Sequence, residues 1–286
     1  MDRSSIAAAL RDAATRLAPV TDAGRLEAEW LMAHALGCSR SDLLLRRMAE
    51  PAPAAFGPLV ARRATGEPLA HLTGEAEFYG LRLQVTPDVL VPRSDTELLI
   101  DLAREKLASR PPERILDCGT GSGALLLAAL SVWPGATGVG IERSPAALAV
   151  ARANMMALTC PDRATMLAGD WNQPGWADSL GRFDLVLANP PYIATDDPDL
   201  AADVAASDPH DALFAGPDGL DDYRILVPAL TGLLTPGGLA IFEIGSRQAE
   251  ALTGITHQLG LSAAIHEDLA HRPRAVSMWH ESGHGG

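Results

Sequence analysis

The chain has 286 residues, 47% of them hydrophobic, and a formal net charge of −13, which allows one large or two modest domains with a substantial core. No apolar run approaches the ~20 residues needed to cross a bilayer, and Met1-Asp2-Arg3-Ser4 lacks the charged start and apolar core of a secretion signal, so a cytoplasmic protein is expected. The acidic balance, with no run of Arg or Lys longer than two, disfavours a stable nucleic-acid partner and leaves a basic protein partner open.

Residues 1–72 read as a small helical domain. Ile6, Leu10, Ala13, Ala14 and Leu17 keep a period near 3.6. Asp22 is placed to cap a second helix that carries Leu26, Trp30, Leu31 and Leu36 and stops at Gly37. Ser39 or Ser41 starts a short third helix, and Ala54 to Ala64 forms another. The segment holds no catalytic constellation, so partner recognition is its expected role.

Residues 73–112 change character. Phe78-Tyr79-Gly80-Leu81-Arg82-Leu83-Gln84-Val85 reads as a hairpin. Ser94-x-x-Glu97 has the pattern of a capping box, which predicts a helix from Asp95 to Ala108. Arg93, just before it, is either a surface charge or a group reaching into a site.

From residue 113 strands and helices alternate, the pattern of a doubly wound parallel sheet. The expected strands are Ile115–Cys118, Thr137–Glu142, Thr165–Ala168, Phe183–Ala188 and Leu239–Ile244, with Leu261–Glu267 and Ala275–Trp279 as a closing antiparallel pair. Helices are expected over 124–133, from Pro145 to about Leu158, over 220–234 and over 248–259, and Pro236-Gly237-Gly238 reads as a turn.

Gly119-Thr120-Gly121-Ser122-Gly123 lies between a strand and a helix, where glycines let a ligand approach the backbone closely. Dinucleotide enzymes use similar loops, but the Gly-x-Gly-x-Gly spacing suits a pyrophosphate less well than Gly-x-Gly-x-x-Gly. Asp117 would repel a phosphate and hold an ammonium, which fits S-adenosylmethionine. Glu142, closing the second strand, is placed for a ribose diol. Asp170-Trp171 is placed for adenine, with a helix cap and a core tryptophan as the alternatives. Asn189-Pro190-Pro191-Tyr192 follows a buried strand, and its two prolines enforce a stiff extended loop. That loop is either an ordinary Pro-Pro turn or the seat of the chemistry.

Taken together, Asp117 to Gly123 and Asn189 to Tyr192 resemble class I methyltransferases that act on a planar nitrogen. With Phe78-Tyr79-Gly80, Val91-Pro92-Arg93-Ser94-Asp95-Thr96-Glu97, Gly169-Asp170-Trp171, Gly219 to Arg224 and Glu243-Ile244-Gly245, the chain resembles the HemK/PrmC family almost end to end. That family comprises protein-(glutamine-N5) methyltransferases of class-1 peptide chain release factors. Ser94 stands where the family usually has Pro, Asp208-Pro209 where Glu-Pro is common, and Glu142 where Asp is frequent.

The resemblance implies a Rossmann-like, mostly parallel seven-stranded sheet over 113–286, preceded by a helical substrate-recognition domain and a hairpin linker. It implies S-adenosylmethionine held by Asp117, Gly119, Thr120, Gly121, Gly123, Glu142, Asp170, Trp171 and Asn189, with S-adenosylhomocysteine as product and no metal. The Asn189 oxygen and the Pro190 carbonyl would accept the two hydrogens of a glutamine amide from the release factor's GGQ loop. Tyr192 would border the glutamine, Pro191 would stiffen the loop, and Arg93 would face substrate. A monomer is expected. A ribosomal-protein glutamine methyltransferase and a DNA amino-methyltransferase acting on flipped bases are the rival readings.

Overall fold

A computed structural model describes residues 4–158, 161–195 and 209–281; Cys160, Asp208 and the tail from 282 lie outside them. Contacts divide the chain into two compact units, Met1–Glu75 and Ala76–Gly286.

The first unit is helical: α1 (Ile6–Leu17), α2 (Gly24–Leu36), α3 (Arg40–Asp42, running on as a π turn through Arg47), α4 (Phe56–Ala64) and α5 (Leu69–Thr73). Ser5 caps α1 by accepting from Ala8 N–H, and Ser39 caps α3 by accepting from Asp42 N–H. Gly37 ends α2 in the left-handed conformation at φ 61°. The expected cap at Asp22 is not made; the Thr21 hydroxyl instead accepts from Ala23 N–H and donates to Glu27. Ile6, Leu10, Leu17, Leu31, Met32 and Leu43 are sealed in the core of this unit.

The second unit opens on the hairpin β1 (Glu75–Phe78) and β2 (Leu81–Gln84). Tyr79 and Gly80 both have positive φ, 50° and 75°, as a two-residue turn of this hand requires. The expected capping box at Ser94 does not form. Ser94–Thr96 is a 3₁₀ turn, α6 runs Glu97–Lys106, and no side chain caps either piece. The Glu97 carboxylate is committed elsewhere, accepting from Tyr79 N–H at 2.7 Å. Tyr79 OH donates to Asp101 on the next turn of α6, so the hairpin tip is clamped onto that helix.

The main sheet contains β3 (Arg114–Cys118), β4 (Thr137–Glu142), β5 (Ala164–Ala168), β6 (Phe183–Ala188), β7 (Leu234–Glu243), β8 (Leu261–Glu267) and β9 (Pro273–His280), in the order 5-4-3-6-7-9-8. Among the described strands only β9 runs antiparallel to its neighbours. Among the described residues, the α-helices that follow α6 are α7 (Ala124–Val132), α8 (Pro145–Ala157), α9 (Asp221–Leu233) and α10 (Ala249–Gln258). Pro236-Gly237-Gly238 lies within β7 as an irregularity between the pairings Phe183–Leu234 and Leu185–Leu239, and is not a turn that precedes the strand. The strands are apolar on both faces because helices cover both. Ile115, Leu185, Leu187 and Ile241 pack with α6, α7 and α8, while Leu116, Val186, Ala188 and Phe242 pack with α9 and α10. From β3 the chain builds outward to β5, then returns to β6 on the other side of β3. This reversal opens a crevice at the carboxyl ends of β3 and β6. No described helix is long and apolar enough to cross a membrane.

Candidate functional site

Strand register lines up the polar residues. Cys118 pairs with both Ile141 and Ala188, and Ala188 pairs with Phe242. Asp117, Glu142, Asn189 and Glu243 therefore emerge at one edge of the sheet. Asp117, Glu142 and Asn189 border a cleft of about 720 Å³ lined by the glycine loop, Asp170, Trp171 and Pro191 on the sheet side and by Phe78, Val89, Arg93 and Thr96 on the other. Such a volume suits a nucleoside-sized ligand.

The glycine loop is crowded at two of its three glycines. Gly119, Gly121 and Gly123 take φ of 74°, 55° and 86°, values that L side chains rarely adopt. A Cβ on Gly119 would sit 3.0 Å from the Trp171 ring, and one on Gly123 3.1 Å from Leu127. The Glu142 carboxylate ties the loop down, accepting from Gly121 N–H at 3.0 Å through one oxygen and from Ser144 N–H at 2.9 Å through the other. Each oxygen keeps a second lone pair for a ligand.

Asp117 is 1% exposed. One of its oxygens accepts from the Thr120 hydroxyl at 2.7 Å, and the other finds no partner among the described residues. Burial pushes this carboxyl up to about 7, with the Thr120 hydroxyl and the Leu126 backbone N–H opposing and the Glu142 charge adding. A buried carboxylate oxygen left unpaired beside a cleft is a group that gains from a cationic ligand.

Asp170 and Trp171 line the cleft and serve local structure too. Asp170 accepts from Asn172 N–H at 2.9 Å, which holds its carboxyl below the usual range. Trp171 is a core residue whose indole N–H donates to Asp222 at 2.6 Å. Burial raises the Asp222 carboxyl.

The loop after β6 divides its residues between two cavities. Asn189 borders the main cleft and a side pocket of about 20 Å³, which Arg93, Tyr192 and Glu243 also line. Pro191 faces the main cleft, whereas Pro190 is buried and lines neither. The Asn189 amide nitrogen donates to Thr96 Oγ1 at 3.3 Å. Thr96 Oγ1 donates to Glu243 Oε2 at 2.5 Å, and Tyr192 OH donates to Glu243 Oε1 at 3.2 Å. Glu243 is 1% exposed; burial raises its carboxyl, and the charges of Arg274 and Arg93 oppose that rise. Burial also raises Tyr192 far above the ordinary phenol range, so it remains a proton donor. Past Tyr192, Gln248 Nε2 donates to the carbonyls of Tyr192 and Gly219, both at 2.9 Å.

The cleft thus gathers Asp117, Gly119, Thr120, Gly121, Glu142, Asp170, Trp171, Asn189, Pro191 and Arg93. Tyr192 lies in the side pocket, and Gly123 packs behind the loop. Sequence reasoning missed Thr96, Asp222, Glu243 and Gln248 as parts of this arrangement. Glu243 carried a signal: it is an acid closing an apolar strand, like Glu142.

Residues 8–74 match the PrmC N-terminal domain, and residues 110–250 match a methyltransferase domain. The release factor glutamine methyltransferase of Moorella thermoacetica is 45% identical over 88% of this chain and 89% of its own length. The protein of the same name from Burkholderia pseudomallei is 41% identical over 90% of each. Among solved structures, the hMettl16 catalytic domain, determined with an RNA hairpin, aligns with a TM-score of 0.56 at 15% identity over 79% of this chain and 83% of that one. At that identity the likeness is one of fold.

Proposed function

The chain belongs to the release factor glutamine methyltransferases, and from that premise and the geometry of the cleft we propose that it methylates the side-chain amide nitrogen of a glutamine in a class-1 peptide chain release factor, using S-adenosylmethionine. One observation carries the chemistry: a neutral acceptor amide, Asn189, lines the same cleft as a buried carboxylate with an unpaired oxygen, Asp117.

The donor set fits the cofactor. Asp117 holds its ammonium, Glu142 its ribose hydroxyls, and Asp170 with Trp171 its adenine, while the glycine loop supplies the close wall. Bound there, S-adenosylmethionine supplies a methyl group already activated on a sulfonium, so the reaction is written without a metal.

The protein's task is the nucleophile. A glutamine amide nitrogen shares its lone pair with its carbonyl and attacks poorly. Asn189 Oδ1 and the Pro190 carbonyl accept its two hydrogens, which aims the nitrogen and stabilises positive charge as it builds. Asn suits the role because its oxygen accepts without a titrating charge. Tyr192 and Arg93 border the glutamine side chain. The active groups all lie within one chain, which supports action as a monomer, and a cytoplasmic location belongs to the same reading.

The test is mass spectrometry of a release factor incubated with the enzyme and labelled cofactor, with duplex DNA and ribosomal protein as parallel substrates. Methyl on the release factor glutamine is expected; methyl on DNA alone would overturn the reading. Asn189→Ala is expected to abolish transfer while cofactor binding, followed by calorimetry, persists.

A further inference from the structure

An asparagine amide presents an oxygen on one side and an NH₂ on the other, and the two ends have nearly the same shape. Only the oxygen can accept a hydrogen from a glutamine amide. A flipped Asn189 would point donors at donors. Something must therefore set the orientation, and the loop alone does not, because its prolines fix the backbone and leave the terminal amide free to rotate.

We propose that Thr96 and Glu243 form a one-way hydrogen-bond relay that locks the Asn189 amide with its oxygen toward the cleft, which makes them positioning residues for the glutamine nitrogen. The polarity follows from the far end. An ionised carboxylate only accepts. Glu243 Oε2 lies 2.5 Å from Thr96 Oγ1 and takes its proton. With that proton committed, Thr96 Oγ1 can only accept from its next neighbour. That neighbour is Asn189, 3.3 Å away, and the end facing Thr96 must be the NH₂. The same carboxylate takes the Tyr192 proton through its other oxygen at 3.2 Å, so one buried anion orients both polar members of the loop.

Three elements deliver the parts. Thr96 ends the 3₁₀ turn before α6, Asn189 follows β6, and Glu243 ends β7. The pairing of Ala188 with Phe242 sets Asn189 and Glu243 side by side, one residue on. Burial favours the neutral acid of Glu243, and against it the hydrogen bonds from Thr96 and Tyr192 and the charges of Arg274 and Arg93 favour the ionised form that the relay requires.

The inference rests on the proposed glutamine chemistry, and its test separates the two. In protein carrying ¹⁵N-asparagine, the Asn189 side-chain NH₂ is expected to exchange slowly with water in the wild type and in Thr96→Ser, which keeps the hydroxyl. It should exchange rapidly in Thr96→Val, which keeps the shape and loses the hydroxyl. In methylation assays Thr96→Val should lower kcat by roughly 10- to 100-fold, with release factor KM and S-adenosylhomocysteine affinity close to wild type, and Thr96→Ser should restore most of kcat. Unchanged NH₂ protection in Thr96→Val, or equal kcat losses in the Ser and Val variants, would overturn the relay. A protected NH₂ in a wild-type enzyme that leaves the release factor glutamine unmodified would uphold the relay and overturn the glutamine reading instead.

Discussion

The side chain of Asn154 holds the backbone of Gln84 at both of its polar groups: Oδ1 accepts from Gln84 N–H at 2.7 Å and Nδ2 donates to Gln84 C=O at 2.9 Å. Nδ2 also donates to Ser122 C=O at 2.8 Å, so one buried amide on α8 staples the second hairpin strand to the glycine loop. Asn154→Ala removes three bonds and leaves part-buried backbone groups unpaired. The expected cost is about 2–3 kcal/mol of unfolding free energy, read from urea denaturation. S-adenosylhomocysteine affinity should fall with it, because Ser122 belongs to the loop. A variant of wild-type stability would mean that water replaces the amide at no cost.

Asp117 makes cofactor affinity dependent on pH. Its carboxyl, raised to about 7 in the free protein, is largely neutral at pH 6, where an incoming ammonium must first displace its proton. Affinity for S-adenosylhomocysteine should therefore rise about tenfold per pH unit up to 7 and then level off. The same shift acts on stability with the opposite sign. A carboxyl whose folded pKa is raised favours the folded state at low pH, and that contribution fades as pH climbs from the unfolded value near 4 through about 7. Calorimetry across pH 5.5 to 8 checks the first trend, and Asp117→Asn should flatten it.

Much of this was legible because it is local. Strand and helix alternation, the glycine loop and the Asn-Pro-Pro-Tyr turn each declare themselves within a few residues. The support around them was not. Thr96 and Glu243 are 147 positions apart, and only the strand order, which lays β7 beside β6, brings Glu243 to Asn189. Ser94 failed as a cap for a related reason. Its partner Glu97 gains more by satisfying Tyr79 N–H at a left-handed turn, and that demand comes from the hairpin and is invisible in the Ser-x-x-Glu spacing. Asp22 was read from residue type alone, while the local bonds before α2 are made by Thr21, one position earlier, and no side chain caps the helix.

Gly219 is held where nothing larger fits. Its φ is 73°, and a Cβ there would overlap the Tyr192 carbonyl and crowd Gln248 Nε2. Gln248 bridges these same two backbones. Gly219→Ala should thus push Tyr192 away from Glu243 and loosen the Asn189 loop, at a stability cost of roughly 1–3 kcal/mol. We expect kcat to fall beyond any change in cofactor affinity, since Tyr192 lines the side pocket and not the cleft that the glycine loop lines. Steady-state kinetics beside calorimetry separates the two effects. Gln248→Ala should move kcat in the same direction, because it removes the clamp without adding bulk.

Recognition of the release factor body falls, in the proposed function, to the helical unit, and α2 offers a specific test. Leu26 and Trp30, one helical turn apart and so on one face, are 42% and 44% exposed. A solvent-facing tryptophan contributes little to the core of its own unit, so Trp30→Ala should leave thermal stability within about 0.5 kcal/mol. Buried against a protein partner, a tryptophan is commonly worth 2 kcal/mol or more. The variant should then raise release factor KM by about tenfold or more while kcat and S-adenosylhomocysteine affinity stay unchanged. Unchanged KM would move recognition to another face of the helical unit. A parallel fall in kcat and cofactor affinity would instead mean that Trp30 acts on the methyl-transfer site.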